Sequence, residues 1–527
     1  MDRCHLGANI TRLPFLIKRA AGIALIGAAA GAAAFGAADI QQPDSDEFRQ
    51  LIKQSDKLVK KGNLPEAERL LLRALDLNKD DADTRLRLAF VYLKERRLRS
   101  AYETSFGVAK ADPKNSHAYA ILGATLLGSG KFPEARSVFY TAIQLNRKEA
   151  LAWAGSGMLD FYENRIPESL QNLSQAVFHD PSEPDYLFAF AQVAARAERY
   201  RDAAEAYTRF LAVSKSTDDE RRARIKGLIN FLKFLGQKEN LYATAGEPQT
   251  LVDFDLVGNR PVIRMKINDR DQPLNFVLDT GSGISVISDV TAKRLGIDPI
   301  TKGGFAKGIG GDGRFEIVYG FLRMVDIGDV RVRNVPVYIR KFHSDGGDID
   351  GYIGLSLISK FLTTIDYGAR TFTLTKKDSD EDKAKPEGEV SLPLRLTSSG
   401  FLSGEVKLEG VEEPLNFIVD TGATVSVISP EVANLKPISS CEQRERMRVI
   451  GSAGITEDVP SFLLPRVSFG SHSRKSITAI ALDLDMINEA SGFEQAGILG
   501  GNFLKNYRMT FDFKNSKVTF APVNAEQ

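Results

Sequence analysis

Two different hydrophobic patterns divide the chain into an amino-terminal and a carboxy-terminal part. Between residues 47 and 240, small and large apolar positions recur at a spacing that is typical of paired helices. Between residues 249 and 523, short apolar runs of strand length are separated by glycine-rich turns. The pattern therefore predicts an all-α solenoid followed by an all-β region, in a chain whose 527 residues leave room for several domains.

The amino-terminal pattern is a repeat of 34 residues, and its recurring positions are all small. These positions are Ala67, Ala101, Ala135, Ser169 and Ala203. Their period and the prolines that end the units resemble tetratricopeptide (TPR) repeats, about five of them over residues 47–213, with Asp218 to Gly236 as a capping helix. The resemblance implies a concave surface for a peptide or partner protein, and a spacer without a ligand remains the alternative.

The carboxy-terminal pattern contains almost the same nine-residue segment twice. Pro273 to Gly281 returns 141 residues later as Pro414 to Gly422, and each copy is an apolar strand that ends in Asp-Thr-Gly. One Asp-Thr-Gly is a weak signal, because turns favour these residues, but two copies in matching contexts are specific. Two such turns can face each other across a pseudo-twofold axis and bring Asp279 and Asp420 within hydrogen-bonding reach.

Two further segments repeat with the motif. Glycine-rich runs at 308–313 and 450–454 lie between strand-like stretches, which predicts a mobile hairpin in each unit. Later, Gly351-Tyr352-Ile353-Gly354 is matched by 497–500. Self-similarity over about 125 residues indicates internal duplication.

The duplicated units resemble the lobes of retropepsin-like aspartic peptidases, joined in one chain as in the bilobal pepsin-type enzymes. The resemblance implies lobes at 249–376 and 389–523, a charged linker at 377–388, and a catalytic dyad of Asp279 and Asp420. It implies that the active-site turns are supported by Thr280, Gly281, Ser282, Thr421, Gly422 and Ala423. It also implies that the flaps carry Gly308, Gly310, Gly311, Gly313, Gly451 and Gly454.

The residue that follows each Asp-Thr-Gly differs between the two units. Ser282 resembles the pepsin-type arrangement, in which a hydroxyl donates to the outer carboxylate oxygen, whereas Ala423 resembles the viral one. A missing donor leaves a carboxylate less stabilised, so its pKa is expected to be less depressed. The sequence therefore predicts a mildly acidic to near-neutral pH optimum.

Composition argues against several other functions. With 69 Lys and Arg against 68 Asp and Glu, the net charge is only +1, and no basic stripe suggests nucleic-acid binding. The five histidines show no metal-ligand spacing, so neither a metal nor another cofactor is expected. The run Gly308-x-Gly310-x-x-Gly313 precedes a strand-like stretch rather than a helix, which argues against dinucleotide binding.

The first 38 residues resemble a targeting segment. Basic residues precede an apolar stretch, Ala20 to Ala38, that ends in small residues, as in a secretory signal peptide. The same stretch is nearly long enough to remain as a membrane anchor, and a buried helix is the third alternative. Export to a bacterial periplasm, or anchoring at the outer face of the cytoplasmic membrane, is therefore expected. Cys441 would then have no disulfide partner.

Together these patterns predict an exported aspartic endopeptidase that acts on proteins or peptides and carries a repeat domain for partners. Two alternatives stay open at this level. The cleft and repeats could form a non-catalytic peptide-binding scaffold, or each lobe could pair with its counterpart in a second chain. The short linker and the different residues after each glycine favour a single-chain pseudo-dimer.

Overall fold

The structure is a computed structural model that describes residues 45–214, 219–311, 313–343, 348–376 and 389–523. The predicted leader at 1–38 and the predicted linker at 377–388 lie outside these ranges. In the part of the chain that is described, no helix combines the length and the apolar character needed to cross a membrane.

The described residues before 240 form a solenoid of eleven helices, as the repeat pattern predicts. The helices are α1 (Ser45–Lys60), α2 (Leu64–Leu77), α3 (Ala82–Lys94), α4 (Leu98–Ala111), α5 (Ser116–Gly128), α6 (Phe132–Leu145), α7 (Ala150–Tyr162), α8 (Ile166–His179), α9 (Pro184–Arg196), α10 (Tyr200–Val213) and α11 (Asp219–Leu235). Helices α1 to α10 form five consecutive pairs, and α11 follows the last pair at the predicted capping position.

Small residues set the spacing between paired helices. All five small repeat positions, from Ala67 to Ala203, are fully buried. A Cβ atom added to Gly123 would lie 2.7 Å from the Phe139 ring, and one added to Gly157 would lie 2.7 Å from the Leu173 side chain. Large side chains of one helix thus fill the space that small residues of its partner leave open.

The first β-rich lobe begins slightly earlier than predicted, because strand β1 precedes residue 249. Its elements are β1 (Ala243–Gly246), β2 (Gln249–Asp253), β3 (Asp255–Val257), β4 (Arg260–Ile267), β5 (Leu274–Leu278), β6 (Val286–Ser288), α12 (Asp289–Leu295), β7 (Thr301–Lys307), β8 (Arg314–Ile327), β9 (Val330–Arg340), β10 (Gly351–Ile353), α13 (Leu355–Ile358), β11 (Phe361–Asp366) and β12 (Thr371–Lys376). The sheet order β9-β6-β10-β5-β4-β8 closes through a β8–β9 pairing, so these strands form a barrel.

The second lobe repeats this plan. Its elements are β13 (Val390–Pro393), β14 (Arg395–Leu396), β15 (Leu402–Leu408), β16 (Leu415–Val419), β17 (Ser426–Ile428), α14 (Pro430–Ala433), α15 (Lys436–Ser439), β18 (Glu442–Ile450), β19 (Ile455–Phe469), β20 (His472–Ala481), α16 (Asp485–Ser491), β21 (Gly497–Leu499), α17 (Gly501–Leu504), β22 (Tyr507–Asp512) and β23 (Lys517–Pro522). Here the order β15-β16-β21-β17-β20-β19 closes through a β15–β19 pairing. The predicted fold class, a helical solenoid before two β-rich lobes, is confirmed.

The two lobes share a third sheet of six strands. Its order is β13-β23-β22-β11-β12-β2, so three strands come from each lobe. The lobes meet where β11 pairs with β22 in antiparallel register. Hydrogen bonds of one continuous sheet therefore hold the lobes together within the chain.

The solenoid packs directly on the lobes, which the sequence did not predict. The Phe493 side chain of lobe 2 is fully buried, with its ring centroid 5.0 Å from those of both Phe132 and Tyr162 of the solenoid. Polar contacts flank this centre: Asn164 Nδ2, in the turn between α7 and α8, donates to the Phe513 carbonyl over 3.0 Å, and Arg196 Nη2, at the end of α9, donates to the Thr397 carbonyl over 2.9 Å. The repeats and lobes thus share an interface with an apolar centre.

Helix α11 lies against the hairpin formed by β7 and β8. At Gly227 an added Cβ would come within 2.4 Å of the Lys302 carbonyl oxygen, so helix and strand touch through backbone atoms. Beside this contact, the Phe231 ring stacks on the Tyr319 ring of β8 with centroids 4.5 Å apart. Arg224 Nη1 also donates to the Phe305 carbonyl over 3.1 Å. The last helix of the solenoid therefore braces one hairpin of lobe 1.

Candidate active site

Strands β5 and β16 place Asp279 and Asp420 at equivalent positions in the two lobes. Each strand pairs in parallel with a strand of the later repeated segment, β5 with β10 and β16 with β21. The Asp279 N–H donates to the Ile353 carbonyl and the Asp420 N–H to the Leu499 carbonyl, both over 3.0 Å. The repeated Gly-containing segment thus braces the motif turn, as the family resemblance implied.

The two turns are joined by a reciprocal set of buried hydrogen bonds. Thr280 Oγ1 donates to the Val419 carbonyl, and Thr421 Oγ1 donates to the Leu278 carbonyl, each over 2.6 Å. Each threonine hydroxyl also accepts the backbone N–H of the other threonine over 3.1 Å. Every hydroxyl is satisfied by the opposite lobe, so the two turns cannot shift apart without leaving buried polar groups unpaired.

Glycines beside the aspartates leave space for the opposite carboxylate. A Cβ atom on Gly281 would lie 2.4 Å from Asp420 Cγ, and one on Gly422 would lie 2.7 Å from Asp279 Oδ1. Each glycine N–H also donates to the aspartate of its own lobe, Gly281 to Asp279 Oδ1 over 2.9 Å and Gly422 to Asp420 Oδ1 over 2.7 Å. The motif requires glycine here because no side chain fits between the carboxylates.

Burial raises the pKa of Asp279 well above its ordinary value, and both the charge of Asp420 and the hydrogen bond between the two carboxyl groups raise it further. The pKa of Asp420 is also raised by burial, while the hydrogen bond from Asp279 and backbone N–H groups act in the opposite direction. Two desolvated carboxyl groups in contact disfavour a state in which both are charged, so such a pair shares one proton over part of the pH range and titrates as a unit.

The expectation that the Ser282 hydroxyl stabilises the adjacent carboxylate is wrong in this structure. Ser282 Oγ instead donates to the Ile284 carbonyl over 2.8 Å, and the Ser282 carbonyl accepts the Leu355 N–H over 2.8 Å. Ser282 therefore shapes the loop, because its hydroxyl satisfies a nearby carbonyl of the same turn. Ala423 has no hydroxyl, but its N–H does lower the pKa of Asp420.

The predicted flaps meet tip to tip. The Gly311 N–H donates to the Ile455 carbonyl over 3.1 Å, and the Ala453 N–H donates to the Ile309 carbonyl over 2.8 Å. The Ile309 N–H also donates to Ser452 Oγ over 3.1 Å. Both lobes thus contribute one of the predicted flaps to this contact.

The predicted flap glycines allow the two tips to approach this closely. Gly310, Gly311, Gly313 and Gly454 have positive φ angles, which favour glycine. At Gly308 an added Cβ would lie 2.3 Å from Ser452 Oγ, and at Gly451 it would lie 2.2 Å from the Ile309 carbonyl oxygen. Side chains at these two positions would separate the tips.

Two side chains of the site were not found from the sequence. Arg340 ends β9, and its positive charge lowers the pKa of Asp279. Tyr352 lies on β10, and the charge of Asp279 raises its pKa, although burial is the larger cause. The strand registers that bring both residues to the dyad are not visible in a sequence pattern. Within the described ranges, no group of three or more potential metal-ligating side chains is present.

Comparison with known families agrees with this geometry. Residues 263–357 and 404–503 match the family model described as aspartyl protease, and residues 58–125 and 155–221 match models described as tetratricopeptide repeat. The chain therefore carries two tandem aspartyl protease segments of the retropepsin-like type behind tetratricopeptide repeats. A search of curated proteins returned no match.

Several solved structures are similar to about a third of this chain. A thermophilic TPR protein of Thermus thermophilus is 21% identical, with a TM-score of 0.31 over 34% of this chain and 98% of that chain. Pseudomonas aeruginosa pilF is 16% identical, with a TM-score of 0.28 over 36% and 86% of the two chains. MamA of Desulfovibrio magneticus is 21% identical, with a TM-score of 0.24 over 33% and 98%.

Proposed function

We propose that the chain is an aspartic endopeptidase whose dyad is Asp279 and Asp420 and whose cleft lies between the two lobes. The observation that carries this proposal is the reciprocal locking of the two Asp-Thr-Gly turns by Thr280 and Thr421. A turn that served only the fold would not need two half-buried carboxyl groups in contact, because their desolvation raises both pKa values at a cost in stability.

The chemistry follows from the shared proton. The ionised member of the pair takes a proton from a water molecule, which attacks the carbonyl carbon of the scissile peptide bond. The protonated member donates a hydrogen bond to the oxygen as negative charge develops on it. A proton then passes to the leaving nitrogen as the carbon–nitrogen bond breaks. Each such acid or base contribution is typically worth about 10²–10⁴-fold in rate.

The remaining parts of the chain extend this proposal. Because the two lobes share one sheet, the dyad is proposed to work as a single-chain pseudo-dimer. The repeats are proposed to recruit protein substrates or a partner protein, as their class suggests.

The pattern of residues 1–38 supports export to a periplasm, with or without retention as an anchor. Mass measurement of the mature amino terminus from a bacterial host tests that last point.

The central test is cleavage of an unbiased peptide library from pH 3 to pH 8 by purified protein. Asp279→Asn and Asp420→Asn should each abolish cleavage, and the transition-state mimic pepstatin should inhibit it. Asp271→Asn is the matched control, because this carboxylate is fully exposed and should leave cleavage unchanged. No cleavage by folded wild-type protein at any pH would contradict the proposal and favour a peptide-binding scaffold.

A mixing experiment tests how the lobes pair. Asp279→Asn and Asp420→Asn chains each keep one intact aspartate, so pairing between chains would restore activity in a mixture. The single-chain arrangement predicts that the mixture stays inactive.

A further inference from the structure

Lobe 1 carries a charged residue near Asp279, in the proposed cleft, that the proposed mechanism does not use. Arg340 is the last residue of β9, which runs parallel to β6 so that Arg340 lies opposite Ser288. Strand β6 also pairs with β10, whose Tyr352 lies next to Ile353, the acceptor of the Asp279 N–H. This series of strand pairings places the guanidinium near enough for its charge to act on both Asp279 and Tyr352.

Arg340 has little compensation for its charge. Its Nε atom is buried and has no hydrogen-bond partner. Its guanidinium carbon lies 4.9 Å from the centroid of the Phe315 ring, which belongs to the flap strand β8. Among the described residues no ion pair joins Arg340 to a carboxylate, and burial lowers its pKa. A desolvated guanidinium with an unpaired donor is suited to bind a carboxylate from a ligand.

The same position in lobe 2 is apolar. Leu482 follows β20, which runs parallel to β17, and its N–H donates to the Ile428 carbonyl over 3.1 Å. The counterpart of Tyr352 is Ile498. Leu482 and Ile498 belong to an apolar cluster that also includes Met447 and Val449 of the flap strand β18. The duplication has therefore placed a cation at this position in lobe 1 and apolar side chains at the equivalent position in lobe 2.

We propose that the cleft selects peptides with an acidic side chain, Asp or Glu, next to the scissile bond on the lobe 1 side and an apolar side chain on the lobe 2 side. This inference rests on the proposed function and assigns Arg340 as a specificity-determining residue. The substrate carboxylate would accept hydrogen bonds from the guanidinium beneath Phe315. The apolar partner residue would contact Leu482 and Ile498.

The first test compares cleavage of matched peptides that carry Glu, Gln, Leu or Lys at each position flanking the scissile bond. Wild-type protein is expected to prefer Glu over Gln by about 10- to 100-fold in kcat/KM at one position only. Arg340→Gln should remove this preference while cleavage of the Leu peptide persists, and Arg340→Glu should favour Lys. Arg333→Gln, an exposed change on the same strand, is the control. Equal cleavage of Glu and Gln peptides by wild-type protein would overturn the inference while leaving the proposed function intact.

A binding measurement decides the inference if wild-type protein cleaves nothing, an outcome that would reject the proposed function. Asp420→Asn protein is titrated with the Glu and Gln peptides in a calorimeter. Binding of the Glu peptide that is tighter by about 10-fold or more, and that is lost when Arg340→Gln is added, supports the acidic subsite. Equal affinity for the two peptides overturns it.

Discussion

The hydroxyl oxygens of Thr364 and Thr510 lie 3.0 Å apart, where strands β11 and β22 face each other in register. The two threonines are equivalent residues of the two lobes, so their contact lies on the pseudo-twofold axis. The same axis passes between Thr280 and Thr421 beneath the dyad. Hydroxyl contacts between equivalent threonines therefore mark the axis at both the cleft and the shared sheet.

The two threonine pairs should differ in importance. Thr280→Val removes a donor to the Val419 carbonyl and an acceptor for the Thr421 N–H, and it leaves both partners buried. Each of the two unsatisfied groups costs about 1–3 kcal/mol, so unfolding by denaturant should show a loss of about 2–6 kcal/mol together with a loss of activity. Thr364→Val, the control, removes one hydroxyl contact and should cost about 0.5–1.5 kcal/mol with activity retained. Equal losses in both variants would contradict this assignment.

Gly281→Ala should separate the carboxylates without unfolding the protein. The new methyl group would lie 2.4 Å from Asp420 Cγ, so one turn must move. Misplacement of a catalytic group by about 1 Å can cost about 10²-fold, and we expect kcat to fall at least that far while circular dichroism is unchanged. Gly107→Ala is the matched control, because nothing lies within 4 Å of an added Cβ there. Full activity in Gly281→Ala would show that the contact is not needed.

The pH dependence of cleavage should follow the shared proton. Activity requires one proton on the pair, so it falls at low pH when a second proton binds and at high pH when the last one leaves. Because burial raises both pKa values, we expect an optimum in the mildly acidic to near-neutral range. A profile that peaks below about pH 3.5, under the ordinary aspartate pKa, would contradict this.

The Arg340→Gln variant tests whether Asp279 sets the alkaline limb of the pH profile. The Arg340 charge lowers the pKa of Asp279, so its removal raises this pKa and should move the alkaline limb to higher pH. Arg333→Gln should leave the limb in place. The profiles are best measured with a peptide that has Leu at both flanking positions, so that substrate charge does not contribute.

Phe493→Ala should uncouple the solenoid from the lobes. The ring is fully buried between Phe132 and Tyr162, and removal of such a ring typically costs about 3–5 kcal/mol. We expect wild-type protein to unfold in one calorimetric transition and the variant in two. Phe178→Ala is the control, because this side chain is 78% exposed and should change stability by no more than about 0.5 kcal/mol. A single unshifted transition in Phe493→Ala would show that the interface contributes little.

Gly227→Ala should release the lobe 1 flap from helix α11. The added methyl group would lie 2.4 Å from the Lys302 carbonyl oxygen, so helix and strand must separate. Hydrogen exchange in β7 should become faster, and kcat/KM should fall by about 10-fold as the flap loses its support. The adjacent exposed change Lys226→Ala should affect neither measurement. Unchanged exchange in β7 would show that the flap is held by its own hairpin alone.

The two aspartates and their turns could be predicted because the sequence motif around each aspartate is short and occurs twice. Asp279 and Asp420 each follow an apolar strand, and the segments around them are nearly identical in sequence. Ser282 shows where local reasoning fails, because its hydroxyl could serve either the carboxylate or the Ile284 carbonyl, and the path of the loop decides between them. Arg340 was missed because its approach to Asp279 depends on the parallel register of β6 and β9, which no local pattern encodes.

The contact between solenoid and lobes could not be predicted for a different reason. Asn164 lies in a turn between helices and Arg196 at the end of α9, and at both places a solvated side chain is the usual expectation. Phe493 is a single apolar residue outside any periodic pattern. Helix α11 was correctly predicted as the end of the repeat array. A terminal helix is expected to face solvent, however, and no feature of its sequence identifies β7 as the strand against which it packs.

The sheet shared by β11 and β22 has a consequence for regulation. A peptidase assembled from two separate subunits loses its active site on dilution and gains it on concentration, so its abundance acts as a switch. Here both halves belong to one chain and are hydrogen-bonded across one sheet, so the proposed single-chain dyad would not depend on protein concentration. Control of such an enzyme would then have to act after assembly, through access to the dyad beneath the joined hairpin tips.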